Sequence, residues 1–205
     1  KEAEESYSKA NVIANVITKN RTLFIPEIET KILALLQTLG MPYAQFQVTL
    51  QTIDSFHQYG NTDIAFLFSA NKGSALQEVA KVASGGELSR LMLAIKYITA
   101  QPSKVNTLVF DEIDTGVSGE IASLMGDMML EISKTNQLLA ISHLPQIASK
   151  ANSHLKVVKT VNRKGTISDV IVLNKEQRIE EIAKLLSGKK LTKAAIDNAV
   201  ELLNQ

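Results

Sequence analysis

Thr107-Leu-Val-Phe-Asp-Glu112 and Leu138-Leu-Ala-Ile-Ser-His143 are the stretches that decide how this chain is read. Each is a short continuous apolar run that ends on polar or ionisable residues. That is the pattern of a buried parallel strand, and ligands of open α/β sheets gather at the carboxyl ends of such strands. Adjacent carboxylates at one tip, Asp111 and Glu112, suit a magnesium ion and a water held against a phosphate. A histidine at a neighbouring tip, His143, suits contact with that phosphate or that water. Each piece also has a bland explanation, an acid pair in a solvated loop and a histidine that caps a turn or faces solvent. Their co-occurrence and order favour chemistry.

Upstream, Ser84-Gly-Gly-Glu-Leu-Ser-Arg90 places two glycines before a run with helical apolar spacing, Leu88, Leu91, Met92, Ile95 and Ile98. A helix that opens on glycine leaves unpaired N–H groups at its N-terminus with no side chain to keep an anion away. Ser84 and Glu87 also fit a capping box, which closes a helix end without a ligand. The capping box does not account for the glycine pair.

Together these pieces resemble the ABC-type ATPases. Residues 84–90 are similar to their signature motif, Leu108-Val-Phe-Asp-Glu112 to their Walker B strand and His143 to their switch histidine, while Asp111-Glu-Ile-Asp114 resembles the SMC-like variant. More narrowly, Lys81-Val-Ala-Ser-Gly-Gly-Glu-Leu-Ser-Arg90, Phe110-Asp-Glu-Ile-Asp-Thr-Gly-Val-Ser-Gly119 and Ser142-His-Leu-Pro-Gln-Ile-Ala148 resemble the RecN family of bacterial DNA repair proteins along the whole chain. The fold class expected is α/β, the C-terminal lobe of an ABC/SMC-type P-loop NTPase head. A mixed sheet with flanking helices would carry an N-terminal helix from a coiled-coil base.

The resemblance implies roles residue by residue. Asp111 would position Mg2+ through water, Glu112 would orient the hydrolytic water, and His143 would contact the γ-phosphate. Ser84, Gly85, Gly86 and Glu87 would reach ATP held by a second head, and Asp114, Thr115, Gly116 and Ser118 would form the D-loop crossing to it. Ser118 falls where many relatives of the wider class have aspartate, which leaves cross-talk between the two sites open. Arg90 is assigned no chemistry. The implied partners are the N-terminal lobe of the same protein, a second copy joined through ATP-bound heads, and DNA. The implied location is the bacterial cytoplasm at the nucleoid.

Composition bounds the reading further. The chain has 205 residues, 45% of them hydrophobic, enough for a sizeable core. It has no cysteine, which rules out disulfides and thiolate metal sites, and its three histidines lack zinc-ligand spacing. No apolar run is long enough for a membrane helix, and residues 1–5 lack the apolar centre of a signal peptide. Net charge is +1, yet residues 150–193 hold eleven Lys or Arg against four Asp or Glu, a local +7. That segment reads as a solvated face or a neighbour of phosphate backbones. No Gly-x-x-x-x-Gly-Lys-[Ser/Thr] string occurs, so the β- and γ-phosphates of ATP have no primary cradle here.

In chain order, residues 1–40 read as helix, the segment at the base of the coiled coil, with a seam at Ile25, Ile28, Ile32, Leu35 and Leu39; Pro26 breaks the pattern, and a kink or fresh helix start is expected near Ile25. Residues 41–205 read as the head lobe. Phe46, Val48 and Leu50 alternate with polar residues, as do Ile64, Phe66 and Phe68, predicting a hairpin joined by a polar segment over 54–63. A helix is expected from Gly119 to about Ser133, with Ile121, Leu124, Met125, Met128, Met129 and Ile132 inward. A second hairpin at 154–161 and 166–173 and helices at 175–186 and 192–203 complete the chain. Two other readings stay open: the head lobe of another SMC-like ATPase, and a non-enzymatic interaction module on a degenerate head.

Overall fold

A computed structural model describes residues 1–81, 85–100, 106–117, 119–162, 165–188 and 191–204. The chain divides into two units, Lys1–Ile98 and Thr99–Gln205.

In the first unit, helix α1 (Glu2–Thr38) runs without interruption through Pro26. The fresh start expected at Pro26 is absent. The carbonyl of Pro26 accepts the Thr30 hydroxyl at 2.7 Å, one of several Thr side chains bonded back to the preceding turn. Strands β1 (Gln45–His57) and β2 (Gly60–Ser69) pair antiparallel, with Phe46 opposite Phe68, Val48 opposite Phe66 and Leu50 opposite Ile64. The hairpin is longer than its apolar pattern predicts, because pairing continues through much of the polar segment. An irregular register between Thr52 and His57 breaks the period of two there.

The extended hairpin lies along α1. Gly60, at φ +109°, faces Ala14 and Ile17, and the Tyr7 and Phe56 rings meet edge to face. A short strand β3 (Gln77–Glu78) joins β2, followed by a 3-10 turn over Val79–Lys81. Helix α2 (Gly85–Ala100) begins on the glycine pair. The core unites Ile32 and Leu36 of α1, Met41 of the following loop, Phe46 and Phe68 of the hairpin, and Leu91 and Ala94 of α2. Of the expected seams, Ile28 and Met92 are exposed, while Leu36, Leu93 and Ala94 are buried.

In the second unit, β4 (Thr107–Asp111) and β5 (Gln137–Ile141) pair in parallel, Asp111 opposite Ile141. Helix α3 (Gly119–Ser133) makes the crossover, with Ala122, Met125, Gly126, Met128, Met129 and Ile132 buried. A parallel sheet is normally covered on both faces. Here one face is open: Val109, Leu139 and Ile141, which alternation places together, are 62%, 43% and 57% exposed. On the other face Phe110 is buried and Leu108 and Leu138 are half-buried, while Ala140 is exposed, so the expectation of strands buried on both faces is corrected to partial cover on one.

Helix α4 (Pro145–Ala148) packs on α3, where a Cβ on Gly126 would come within 3.3 Å of the Gln146 carbonyl oxygen. Strands β6 (Leu155–Asn162) and β7 (Gly165–Val172) form the second hairpin. Helices α5 (Lys175–Ser187) and α6 (Lys193–Leu203) follow, α5 opened by an Asn174/Gln177 capping box. They share a small core of Ile182, Ala183, Ala195 and Ala199. Arg178 holds the turn after α4 by donating to the carbonyls of Ala148, Ser149 and Ala151.

Candidate active site at two strand tips

Parallel pairing of β4 and β5 brings Asp111, Glu112 and His143 to one end of one sheet, because both strands run the same way and end in register. Beyond Asp111 the backbone turns sharply. Glu112 takes φ +50°, the one non-glycine residue with positive φ among the described residues. Its N–H donates to the Ile141 carbonyl at 3.2 Å, and its own carbonyl accepts the Thr115 hydroxyl at 3.0 Å. The turn is thus fixed at both ends. A bulky residue in the left-handed region is uncommon, and such strain gathers at functional sites.

The side chains of Asp111 and Glu112 have no hydrogen bond or ion pair among the described residues, and both residues are exposed. The fold makes no use of these carboxylates. Magnesium is commonly bound by one or two carboxylates together with substrate phosphates and water. Asp111 and Glu112 fit such a partial site, and no cluster of three or more His, Cys, Asp or Glu that would hold a metal unaided exists among the described residues.

Asp114, expected in the D-loop, turns inward. Its side chain is 0% exposed. One carboxylate oxygen, Oδ2, accepts the Ser142 hydroxyl at 2.5 Å and the His143 N–H at 3.3 Å, with His143 Nδ1 3.5 Å away. The other, Oδ1, is buried with no partner among the described residues. Ser142 Oγ also accepts the Leu144 N–H at 3.0 Å. Thr115 and Gly116 remain exposed, Gly116 at φ +72°. Ser118 lies outside the described residues.

The glycine-opened helix belongs to the first unit. A Cβ added at Gly85 would meet nothing within 4 Å among the described residues, which leave the entrance to α2 open there. Glu87 accepts from Asn71 at 3.4 Å. Arg90 bonds the carbonyls of Gly86 and Leu39, each at 3.1 Å, and so ties the first turn of α2 to the end of α1. That gives Arg90 a structural role. Ser84, with the capping box expected of it, lies outside the described residues.

Sequence reasoning missed the inward turn of Asp114 and the tie between Ser142 and Asp114. It also missed His154, a half-buried histidine beside Arg178, Lys156 and Glu181. Burial, the largest cause, and the nearby Arg178 charge hold its imidazole below the ordinary range. Burial likewise lowers Arg178. The Lys156–Glu181 ion pair beside them joins β6 to α5.

No family model matches the chain. It is 39% identical over 204 residues to the DNA repair protein RecN of Vibrio cholerae, covering 98% of this chain and 37% of that protein. It is 41% identical over 172 residues to the RecN of Deinococcus radiodurans, covering 84% of this chain and 30% of that one. The chain therefore spans about a third of the length of the curated relatives it matches. Among solved structures, an Smc head domain from Pyrococcus yayanosii aligns over 92% of the chain with a TM-score of 0.59 at 17% identity. A second, from work on ATP-driven dimerization and DNA-stimulated activation of SMC ATPases, aligns over 86% with a TM-score of 0.56 at 18% identity. These likenesses in sequence and in fold converge: the chain is a segment of the RecN family, built on the fold of an SMC head domain.

Proposed function

We propose that this chain is the C-terminal lobe of a split ATPase head which, with a lobe carrying a P-loop, hydrolyses ATP between paired heads during DNA double-strand-break repair. The observation that carries this reading is the meeting of Asp111, Glu112 and His143 at one end of the β4–β5 sheet. The positive φ of Glu112 supports it, since the chain accepts strain where an unused carboxylate stands.

In this mechanism Asp111 would hold the magnesium ion that accompanies the nucleotide, and that ion would supply charge neutralisation at the phosphates. Glu112 accepts a hydrogen bond from the attacking water and aims it at the γ-phosphate. His143 contacts the γ-phosphate from the same head. Ser84, Gly85, Gly86 and Glu87 meet the γ-phosphate of ATP held by a second head, where the N-terminal N–H groups of α2 favour an anion. Thr115, Gly116 and Ser118 form the loop that faces that head. Two heads then close on two nucleotides, and DNA is the object on which closure acts.

Two exposed surfaces are accounted for by the same reading. The apolar face of Val109, Leu139 and Ile141 is where the P-loop lobe completes the sheet. Val12, Ile13, Val16, Leu23 and Phe24 are exposed along the first two-thirds of α1, and the opposite strand of the coiled coil covers them. Residues 1–40 would then form the coiled-coil base and residues 41–205 the head lobe.

Mixing this chain with a separately expressed P-loop lobe tests the proposal. ATP turnover is expected from the mixture and from neither part alone. Turnover by the chain alone, or none by a mixture that forms a stable complex, refutes the division of labour.

A further inference from the structure

We infer that Asp114 is the positioning residue of His143, holding its ring with Nδ1–H turned inward and Nε2 presented outward. This rests on the proposed role of His143 and deepens it.

Asp114 and His143 come from different segments, the turn after β4 and the turn after β5. Their meeting is therefore built by the parallel pairing rather than by local chain geometry. A carboxylate with 0% side-chain exposure is costly unless donors surround it. Three groups converge on Oδ2, and all lie in the Ser142–His143 turn: the Ser142 hydroxyl at 2.5 Å, the His143 backbone N–H at 3.3 Å, and His143 Nδ1 at 3.5 Å. At that distance a proton on Nδ1 is attracted to the carboxylate, whereas a lone pair on Nδ1 would face it unfavourably. The carboxylate therefore selects the Nδ1–H tautomer, which is the less common one for free histidine in water.

The two ring nitrogens stand on opposite sides of the imidazole. Fixing Nδ1 toward the buried Asp114 aims Nε2 away from it, and the His143 side chain is 69% exposed. Nε2 is then the atom that meets a ligand at the strand tips, with its direction set before the ligand arrives. Ser142 contributes from both sides, donating to Asp114 and accepting the Leu144 N–H. Oδ1 is buried with no partner among the described residues, so the side-chain hydrogen bonds of Asp114 described here all come from the Ser142–His143 turn. Asp114 acts through His143 and does not itself touch the substrate.

The test reads the tautomer directly. The 15N-labelled chain has three histidines, His57, His143 and His154, and a His143→Gln variant assigns the signals. At alkaline pH, where imidazole is neutral, His143 is expected to show a protonated Nδ1 and an unprotonated Nε2. Asp114→Ala should return it to the ordinary Nε2–H form, and Ser142→Ala should shift it partway. A wild-type His143 already in the Nε2–H form overturns the inference without any variant. In the full-length protein, Asp114→Ala should lower kcat about tenfold or more, with KM for ATP changed less than about twofold. Normal kcat in that variant, alongside a slow His143→Ala, also overturns it. If the Nδ1–H tautomer is found but His143→Ala hydrolyses ATP normally, the dyad stands and the role of His143 in hydrolysis fails.

Discussion

Replacing Glu112 by glycine and by alanine separates the strain at this site from its chemistry. Glu112 sits at φ +50°, and a residue bearing a Cβ pays about 1–2 kcal/mol to occupy the left-handed region. Alanine keeps that cost and glycine removes it, although glycine loses about 0.5–1 kcal/mol more backbone entropy on folding. The net expectation is that Glu112→Gly is more stable than Glu112→Ala by roughly 0.5–1 kcal/mol. At ordinary positions in helices and strands the order is the reverse. The Glu112 carboxylate has no partner among the described residues, so its loss should cost the fold little in either variant. Urea unfolding of the chain followed by far-UV circular dichroism reads the difference as a midpoint shift of about 0.2–1 M, given a slope of about 1–3 kcal/mol/M. Both variants should abolish turnover in the full-length protein. A glycine variant less stable than the alanine variant would show that the backbone at Glu112 is not strained, and the argument from strain to function would fall.

Arg90→Ala should destabilise the first unit by about 2 kcal/mol, because it leaves the Gly86 and Leu39 carbonyls without their charged donor. Hydrogen exchange at the start of α2 should speed up, and unchanged exchange would show that Arg90 does not hold that turn. Stability should also depend on pH through His154, whose folded pKa lies below 6.5. The unfolded chain then binds the proton more readily, so this stabilisation is present in full above about pH 6.5 and is lost as pH falls toward and through the lowered folded value. His154→Gln should flatten that slope in urea midpoints measured between about pH 7.5 and 5, and a slope equal to wild type would exclude His154 as its source.

The strand tips were legible because a parallel strand writes itself as an apolar run and its functional end as a break into charge. Asp111, Glu112 and His143 carry that signal. Asp114 does not, since it is one more acid in a polar loop. Its inward turn depends on a left-handed residue that no glycine announces, and on a serine from a distant segment. The outer part of the first hairpin was hidden for another reason. There polar residues fill most positions and Ile53 falls out of the alternation of Phe46, Val48 and Leu50, while the register is irregular between Thr52 and His57 before pairing resumes. Of the two outcomes that Pro26 suggested, the fresh start does not occur, since the helix continues across it. Leu36 and Ala122 were missed because burial follows the whole packed stripe of a helix, while the seam drawn from sequence followed its largest residues.

The central claim is that Glu112 at the β4 tip orients the water that attacks ATP. Its most direct test is single-turnover hydrolysis by the full-length protein carrying Glu112→Gln, which keeps the shape of the side chain and removes its charge. The account predicts hydrolysis slowed by about 100-fold or more, with ATP still bound and ATP-bound dimers still formed. Hydrolysis at the wild-type rate would contradict it.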